Sequence, residues 1–414
     1  MGNLQIAVCN CFGESSGTPG KSNLSSNLQR IKTHGLEEDD LIVSDPNFPE
    51  KSTNDNYQKK SPLLSGKNSS SNQVMFSKNH DIVKLDPSDF LVEKNIGKGA
   101  FGKVLLVRLK NNKNKLYAMK VMKKQDVTES NLVENIRLER EIMEKGNSPF
   151  LVELFYAFQS KVNFYFVMEF IPGGDLFVLL RKQRKFPEEA VRFYAVEVIL
   201  ALEYLHSKMK IIYRDLKPEN IMLTKEGHIK IIDFGLAKAT TGSTNTFAGT
   251  PEYLAPEILA NKGHNQLVDL WSLGILIFEM ATGRPPFTCD GRNFGVIERL
   301  ILENKPNFPS YLSKDLVDLS KKLLVTDPLK RLGSKSFADL KSHPFFSVIN
   351  WAEAQERKLK PPFSNTSPFN MKRAGGREVL MNYKESPGEE NPYIEGITFN
   401  QNTLDNQQNT LKMY

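Results

Sequence analysis

Asp215 stands in the run Tyr213-Arg214-Asp215-Leu216-Lys217-Pro218-Glu219-Asn220, and Asp233-Phe234-Gly235 begins thirteen residues after Asn220. Two carboxylates and an amide at this spacing suit phosphoryl transfer. Asp215 would orient a hydroxyl nucleophile, Asn220 and Asp233 would hold Mg²⁺, and Lys217 would lie beside the transferring γ-phosphate, neutralising charge that the metal does not reach. Such a transfer forms no covalent bond to the protein, so in-line positioning and charge neutralisation carry the chemistry.

A nucleotide site is implied upstream. Ile96-Gly97-Lys98-Gly99-Ala100-Phe101-Gly102-Lys103-Val104 is a Gly-x-Gly-x-x-Gly-x-Val run between two strand-like segments, where glycines let the backbone approach phosphates closely. Alone, the run equally suits a glycine-rich hairpin that binds nothing. Tyr117-Ala118-Met119-Lys120 on the next strand pattern favours the nucleotide, because a lysine on an inward strand face reaches the α- and β-phosphates of ATP. Lys120 then needs a carboxylate to hold it. The helically spaced segment 134–145, with Ile136, Leu138, Ile142 and Met143 as apolar positions, offers Glu134, Glu139 and Glu141.

The elements that must position these groups follow from apolar spacing. Strand-like runs at 104–107, 116–122 and 164–170 precede helix-like runs at 187–206 and 266–282. Strands first and helices later predict an α+β chain with a small β-rich lobe followed by a larger helical one. Residues 1–80 hold 13 Ser and 10 Asn with no sustained apolar period, which predicts disorder. After Phe346 the pattern thins again into a tail, 347–414, with Pro361-Pro362 and Gly375-Gly376.

Charge and cysteine usage narrow the setting. Residues 1–80 and 347–414 each hold eight Lys/Arg and eight Asp/Glu, so the net +7 lies wholly in 81–346. No basic run with interleaved aromatics and no zinc-finger spacing accompanies it, so no nucleic-acid partner is expected. Cys9, Cys11 and Cys289 make no disulfide framework, which predicts a reducing, cytoplasmic setting. The most apolar stretch, 270–278, lies between Asp269 and Glu279 and is too short to span a bilayer.

Thr246-Phe247-Ala248-Gly249-Thr250-Pro251-Glu252-Tyr253-Leu254-Ala255-Pro256-Glu257 closes the segment that Asp233 opens. Together with Tyr213 before Arg214-Asp215, and with Asn350-Trp351 and Lys360-Pro361-Pro362-Phe363 in the tail, it resembles the AGC group of serine/threonine protein kinases. The resemblance runs through 90–346 and, more loosely, to about residue 400. It implies the bilobal protein-kinase fold, a catalytic domain at 90–346, an AGC-type tail, ATP and Mg²⁺ as cofactors, and protein substrates. A kinase-fold scaffold without catalysis and a small-molecule kinase are the competing readings. The first needs a degraded Lys120, Asp215, Asn220 or Asp233, and the second is disfavoured by the peptide-docking segment 249–257.

The same resemblance assigns residues. Glu139 becomes the partner of Lys120. Ile96, Val104, Ala118 and Met222 would sandwich adenine, with Met168 as gatekeeper, Glu169 to Ile171 as hinge, and Asp175 also beside the nucleotide. Asp175, Glu219 and Glu279 match acidic positions that attract arginine two or three residues before the phosphorylated Ser/Thr. Glu257 with Arg331, and Asp269 from a buried helix, would be structural.

Control is implied at three further places. Thr246 matches an activation-loop phosphosite, to be filled by an upstream activating kinase and read by Arg214 and Lys238. The position that often carries histidine one turn before the helix glutamate is Asn135, which predicts weaker coupling between helix and loop. Ile394-Glu395-Gly396-Ile397-Thr398-Phe399 resembles a hydrophobic motif that folds back on the small lobe and is phosphorylated at the position of Thr398, with Ser386 as a turn-motif phosphosite. At the N-terminus, Gly2 with Cys9 and Cys11 offers two acylation signals for the inner face of a membrane, although Ile6 stands where the myristoylation motif has Ser or Thr. The catalytic chain is expected to be monomeric.

Overall fold

The computed structural model describes residues 85–99, 102–240, 242–363, 381–385, 387–388 and 390–400. Ala100, Phe101, Ser386, Gly2, Cys9 and Cys11 lie outside the described residues.

Period-two alternation builds the small lobe. Strands β1 (Phe90–Gly99), β2 (Gly102–Leu109) and β3 (Asn112–Lys123) run antiparallel, and β4 (Leu154–Gln159) and β5 (Asn163–Glu169) complete a five-stranded sheet ordered β1-β2-β3-β5-β4. Tyr117, Met119 and Val121 of β3 point to one face, where they join Leu105, Val107, Tyr165 and Val167 in a closed apolar cluster. Successive strand residues alternate sides, so Ala118 and Lys120 must point the other way, toward the second lobe. The register sets Val104 opposite Lys120 and Ala118 opposite Met168, which gathers the predicted nucleotide side chains on that single face. Helices α1 (Lys124–Glu129) and α2 (Val133–Lys145) follow β3, and α2 buries Ile136, Ile142 and Met143 with Glu139 on the same face.

The second lobe is helical: α3 (Leu176–Gln183), α4 (Glu188–Glu203), α5 (Pro256–Leu259), α6 (Leu267–Thr282), α7 (Phe294–Glu303), α8 (Lys314–Leu323), α9 (Phe337–Lys341) and α10 (Trp351–Gln355). Short strands β6 (Ile211–Ile212), β7 (Ile221–Leu223), β8 (Ile229–Ile231) and β9 (Lys238–Ala239) pair as β6-β9 and β7-β8 and carry the motif loops between them. Helix α6 is apolar nearly all round and buried through Ala281, which makes it the lobe's central rod. Gly274 lets α8 close on it, since a Cβ there would lie 2.9 Å from side-chain atoms of Leu323 and Leu324. Arg331, fully buried, donates to both Glu257 oxygens at 2.7 and 2.6 Å and so ties α5 to the lobe.

The tail returns to the small lobe. Strand β10 (Met381–Asn382) pairs with β1 and β11 (Phe399–Asn400) pairs with β4, so both edges of the sheet are covered. Glu385 accepts from Asn163 Nδ2 and the Tyr165 hydroxyl, each at 2.7 Å, and also from the Ser160 hydroxyl. Buried Lys124 donates to the Pro392 carbonyl at 2.9 Å, and Gln159 brackets Ile394 through both its backbone groups. Ile397 is fully buried and Phe399 nearly so, whereas Thr398 between them is exposed.

Ile397→Asp would set a carboxylate in a closed apolar site and release this segment. The expected result is a lower Tm together with faster amide exchange at Tyr156 and Ala157 on β4. Hydrogen-exchange mass spectrometry checks it, and unchanged protection there would mean that Ile397 does not hold the tail.

Candidate active site

Lys120 stands in the inward-facing row of β3, and its ammonium lies 2.7 Å from Glu139 Oε1 and 3.2 Å from Asp233 Oδ1. Burial works against that ammonium, but the carboxylates of Asp233 and Glu139 outweigh it and hold its pKa above the ordinary lysine value. Glu139 is 1% exposed and thus resolves the choice among the three helix glutamates. Glu134 pairs with Arg137 and Glu141 with Lys145 on the outer side of α2. Asp233 keeps 47% of its side chain exposed, and the Lys120 ammonium holds its carboxyl below the usual range, so it offers an ionised oxygen to the cleft.

The loop between β6 and β7 carries the second half of the site. Asp215 Oδ1 accepts from Lys217 Nζ and from the Thr250 hydroxyl, both at 3.1 Å. Asn220 Nδ2 donates to Asp215 twice, to Oδ2 at 2.6 Å and to the backbone oxygen at 2.8 Å. Lys217 also donates to the Thr250 hydroxyl at 2.9 Å. Burial raises the pKa of Asp215, and the Lys217 ammonium opposes the shift. Thr250 was visible in the quoted segment, but its hydroxyl at the Lys217–Asp215 pair emerges only in three dimensions.

Asp269 fixes the loop from within α6. Its carboxylate, wholly buried, accepts from Tyr213 N at 2.9 Å and from Arg214 N at 2.8 Å, and it contacts His206 Nε2 at 2.7 Å. Arg214 and Asp233 both sit at positive φ, 67° and 58°, where side-chain-bearing residues are uncommon. The Tyr213 hydroxyl donates to Ile232 O and Arg214 Nε to Leu236 O, at 2.6 and 2.7 Å, so the two bent segments brace each other.

Ile96, Val104, Ala118, Met168 and Met222 are partly exposed and Ile171 is buried; Val104 lies opposite Lys120 in the sheet, and Ala118 opposite Met168. Lys98 is exposed and Lys103 partly so; Gly97, Gly99 and Gly102 belong to the β1–β2 hairpin. Glu169 at the hinge is held by Lys230 at 2.7 Å. Asp175 accepts from Val178 N at 2.7 Å, so one of its oxygens caps α3. Glu219 and Glu279 line one cleft of ≈ 420 Å³ with Glu252, a carboxylate that motif reading did not single out. Burial, with repulsion from Glu219 and Glu252, pushes Glu279 up to about 7, although the Tyr253 hydroxyl donates to it.

Thr246 lines a different cleft with Arg214, Lys238 and Asn135. Lys238 Nζ is 3.5 Å from its hydroxyl, and Arg214 Nη1 is buried without a partner. Asn135 donates to the Gly235 carbonyl at 3.0 Å, so α2 is fastened directly to the turn that carries Asp233. This contact is the physical counterweight to the weaker coupling expected from losing a histidine there.

Residues 90–346 match the protein kinase domain family, and the chain belongs to that family. It is 46% identical over 284 residues to a RAC family serine/threonine-protein kinase homolog of Dictyostelium discoideum, covering 68% of this chain and 63% of that one. It is 46% identical over 276 residues to the cAMP-dependent protein kinase catalytic subunit PRKX of Homo sapiens, covering 66% and 76%. Protein kinase 3 of Dictyostelium discoideum is 45% identical over 311 residues, 72% of this chain but 34% of that one, so the chain spans about a third of that relative. The RAC homolog and PRKX are AGC-group serine/threonine kinases, the group that Tyr213 and the tail residues resemble. Among the described residues no helix is long and apolar enough to cross a membrane.

Asp269→Ala would strand two buried backbone N–H groups and the His206 ring. The expected loss is about 3–5 kcal/mol of stability, measured by chemical denaturation; a loss below about 1 kcal/mol would show that the loop holds its shape without Asp269.

Proposed function

We propose that this chain is an ATP- and Mg²⁺-dependent serine/threonine protein kinase, acting on protein substrates with arginine two or three residues before the acceptor. The observation that carries the reading is the buried Asp215 carboxylate, held by Lys217, Thr250 and Asn220 and within electrostatic reach of Asp233, which Lys120 holds in turn. A scaffold that had lost catalysis would lack one of Lys120, Asp215, Asn220 or Asp233, and all four are in place.

The residues fit the cofactors. Mg²⁺ takes hard oxygen donors, and the exposed, ionised Asp233 supplies one. Asn220 spends its amide N–H₂ on Asp215, which leaves the amide oxygen as its metal-facing atom. When bound, Mg²⁺ neutralises charge on the phosphates. Lys120, fixed by Glu139, would hold the α- and β-phosphates, and Ile96, Val104, Ala118, Met168, Ile171 and Met222 the adenine. Asp215 would orient the substrate hydroxyl and accept its proton as the new P–O bond forms and the bond from the γ-phosphorus to the departing ADP oxygen breaks, a role favoured by its raised basicity. Lys217, 3.0 Å from Asp215, supplies positive charge where nucleophile and γ-phosphate meet.

The preference for arginine rests on Asp175, Glu219 and Glu279, with Glu252 beside the last two in one cleft; burial disfavours the ionised forms of Asp175, Glu219 and Glu279 and so favours a bound cation. Phosphorylation of Thr246 by an upstream kinase would give the unpartnered Arg214 Nη1 and Lys238 their anion. Thr398, exposed between two buried residues and 3.0 Å from the Tyr393 hydroxyl, is the tail site open to modification. Ser386, and acylation of Gly2 with Cys9 or Cys11, join the proposal on sequence grounds, as does a monomeric chain.

Radiolabel transfer to an arginine-containing serine peptide tests the assignment. Asp215→Asn should cut turnover by about 10²–10⁴-fold with nucleotide binding retained; wild-type turnover in that variant would remove Asp215 from the mechanism.

A pH dependence follows from Glu279. Its carboxyl pKa is raised, so the group is largely neutral at pH 6 and ionised at pH 8, and a substrate guanidinium pairs only with the ionised form. The KM for an arginine-containing peptide should fall from pH 6 to pH 8 relative to that of a peptide with alanine in place of those arginines. An equal response of both peptides would exclude Glu279 from recognition.

A further inference from the structure

The acidic cleft already has a cation at its rim. Between α6 and α7 the chain makes a tight turn, Asp290–Arg292, with Gly291 at φ 76° and Arg292 at φ 47°. The left-handed conformation is uncommon for a residue with a long side chain, and here it accompanies a guanidinium that lines the cleft. Arg292 Nε lies 3.6 Å from Glu252 Oε1, and its charge favours the ionised form of Glu279. Arg181 and Arg284 line the same cleft, but Arg292 is the one that makes an ion pair with a cleft carboxylate among the described residues.

The contact is of a kind that can be given up. It is single rather than bidentate, and the Arg292 side chain is 68% exposed. An exposed pair of this sort changes binding by no more than about five-fold. Two guanidinium groups drawn to the same carboxylates repel each other, so an incoming arginine competes with the resident one.

We propose that Arg292 is a built-in competitor for the arginine subsite, a specificity-determining residue that reduces the advantage of arginine-bearing substrates. The inference rests on the arginine preference proposed above and adds to it a residue of this chain that works against it. It places the side chain of Arg292 on Glu252 when the cleft is free and away from it when a substrate arginine is seated.

The test uses the full chain and two serine peptides that differ only at the second and third residues before the acceptor, both arginine or both alanine. The readout is the ratio of kcat/KM between them for wild type, Arg292→Ala and Arg292→Lys. Arg292→Ala should raise the ratio about three- to five-fold at low salt, Arg292→Lys should stay near wild type, and added salt should shrink the difference. An unchanged ratio in Arg292→Ala, in an enzyme that does prefer arginine, overturns the competitor role alone. A ratio that falls means that Arg292 assists substrate and also overturns it. A ratio of one in all three proteins removes the arginine preference itself, and the competitor with it.

Discussion

Burying the carboxylate of Glu139 costs free energy that only an opposite charge can offset, and Lys120 supplies that charge from a different element. The pair can form only when β3 presents its inward face and α2 presents the face that also carries Ile136, Ile142 and Met143. Asp233 then joins the same ammonium from the second lobe. One side chain thereby senses the sheet, the helix and the metal turn together. Asn135 on Gly235 and Arg137 on the Glu395 carbonyl extend this control from α2 to the turn and to the tail. Removing any of these supports would leave charged groups facing one another without the geometry that makes them favourable.

The second lobe meets a different constraint, since two separate loops must each hold one strained residue in a fixed relation to the other. Arg214 and Asp233 occupy left-handed backbone conformations that the surroundings must over-determine. Asp269 does so on one side with two backbone hydrogen bonds, and the Tyr213 and Arg214 side chains do so on the other by bonding to Ile232 and Leu236. Asp269 projects from α6, the most deeply buried helix, so the loop inherits the rigidity of the lobe's core. The Arg331–Glu257 pair performs the same service for the segment after Pro251. Positioning of this kind is what phosphoryl transfer asks of a protein, because the reacting groups are supplied by nucleotide and substrate.

Where the chemistry is local, the sequence already carries it. Asp215, Lys217, Asn220 and Asp233 lie within nineteen residues, and their spacing is fixed by short strands on either side. Lys120 was legible from period-two alternation, and its partner only through the family resemblance: Glu134, Glu139 and Glu141 all suit a helix, and in the structure packing against the core separates them. Glu252 and Arg292 were missed for the same reason, since an acidic residue beside a proline and an arginine in a turn read as solvated surface until the fold brings them to one cleft. Asp175 reads as a binding carboxylate, yet half of its hydrogen-bonding capacity goes to a helix cap. The tail strands β10 and β11, two residues each, are too short for any periodic signal.

That tail connects distant sequence to the central ion pair. A two-residue strand contributes little by backbone pairing, so the docking of 390–400 must be decided by side chains. Ile397 enters the core cluster and Ile394 packs beside it, while Gln159 and Arg137 hold the intervening backbone. Polar contacts earlier in the tail add to this apolar anchoring. Glu385 gathers Ser160, Asn163 and Tyr165, and buried Lys124 takes the Pro392 carbonyl. Lys124 begins α1 directly after β3, and Arg137 lies two residues before Glu139 on α2. The tail therefore grips the two elements that flank the Lys120–Glu139 pair, so its docking bears directly on how β3 and α2 are held together.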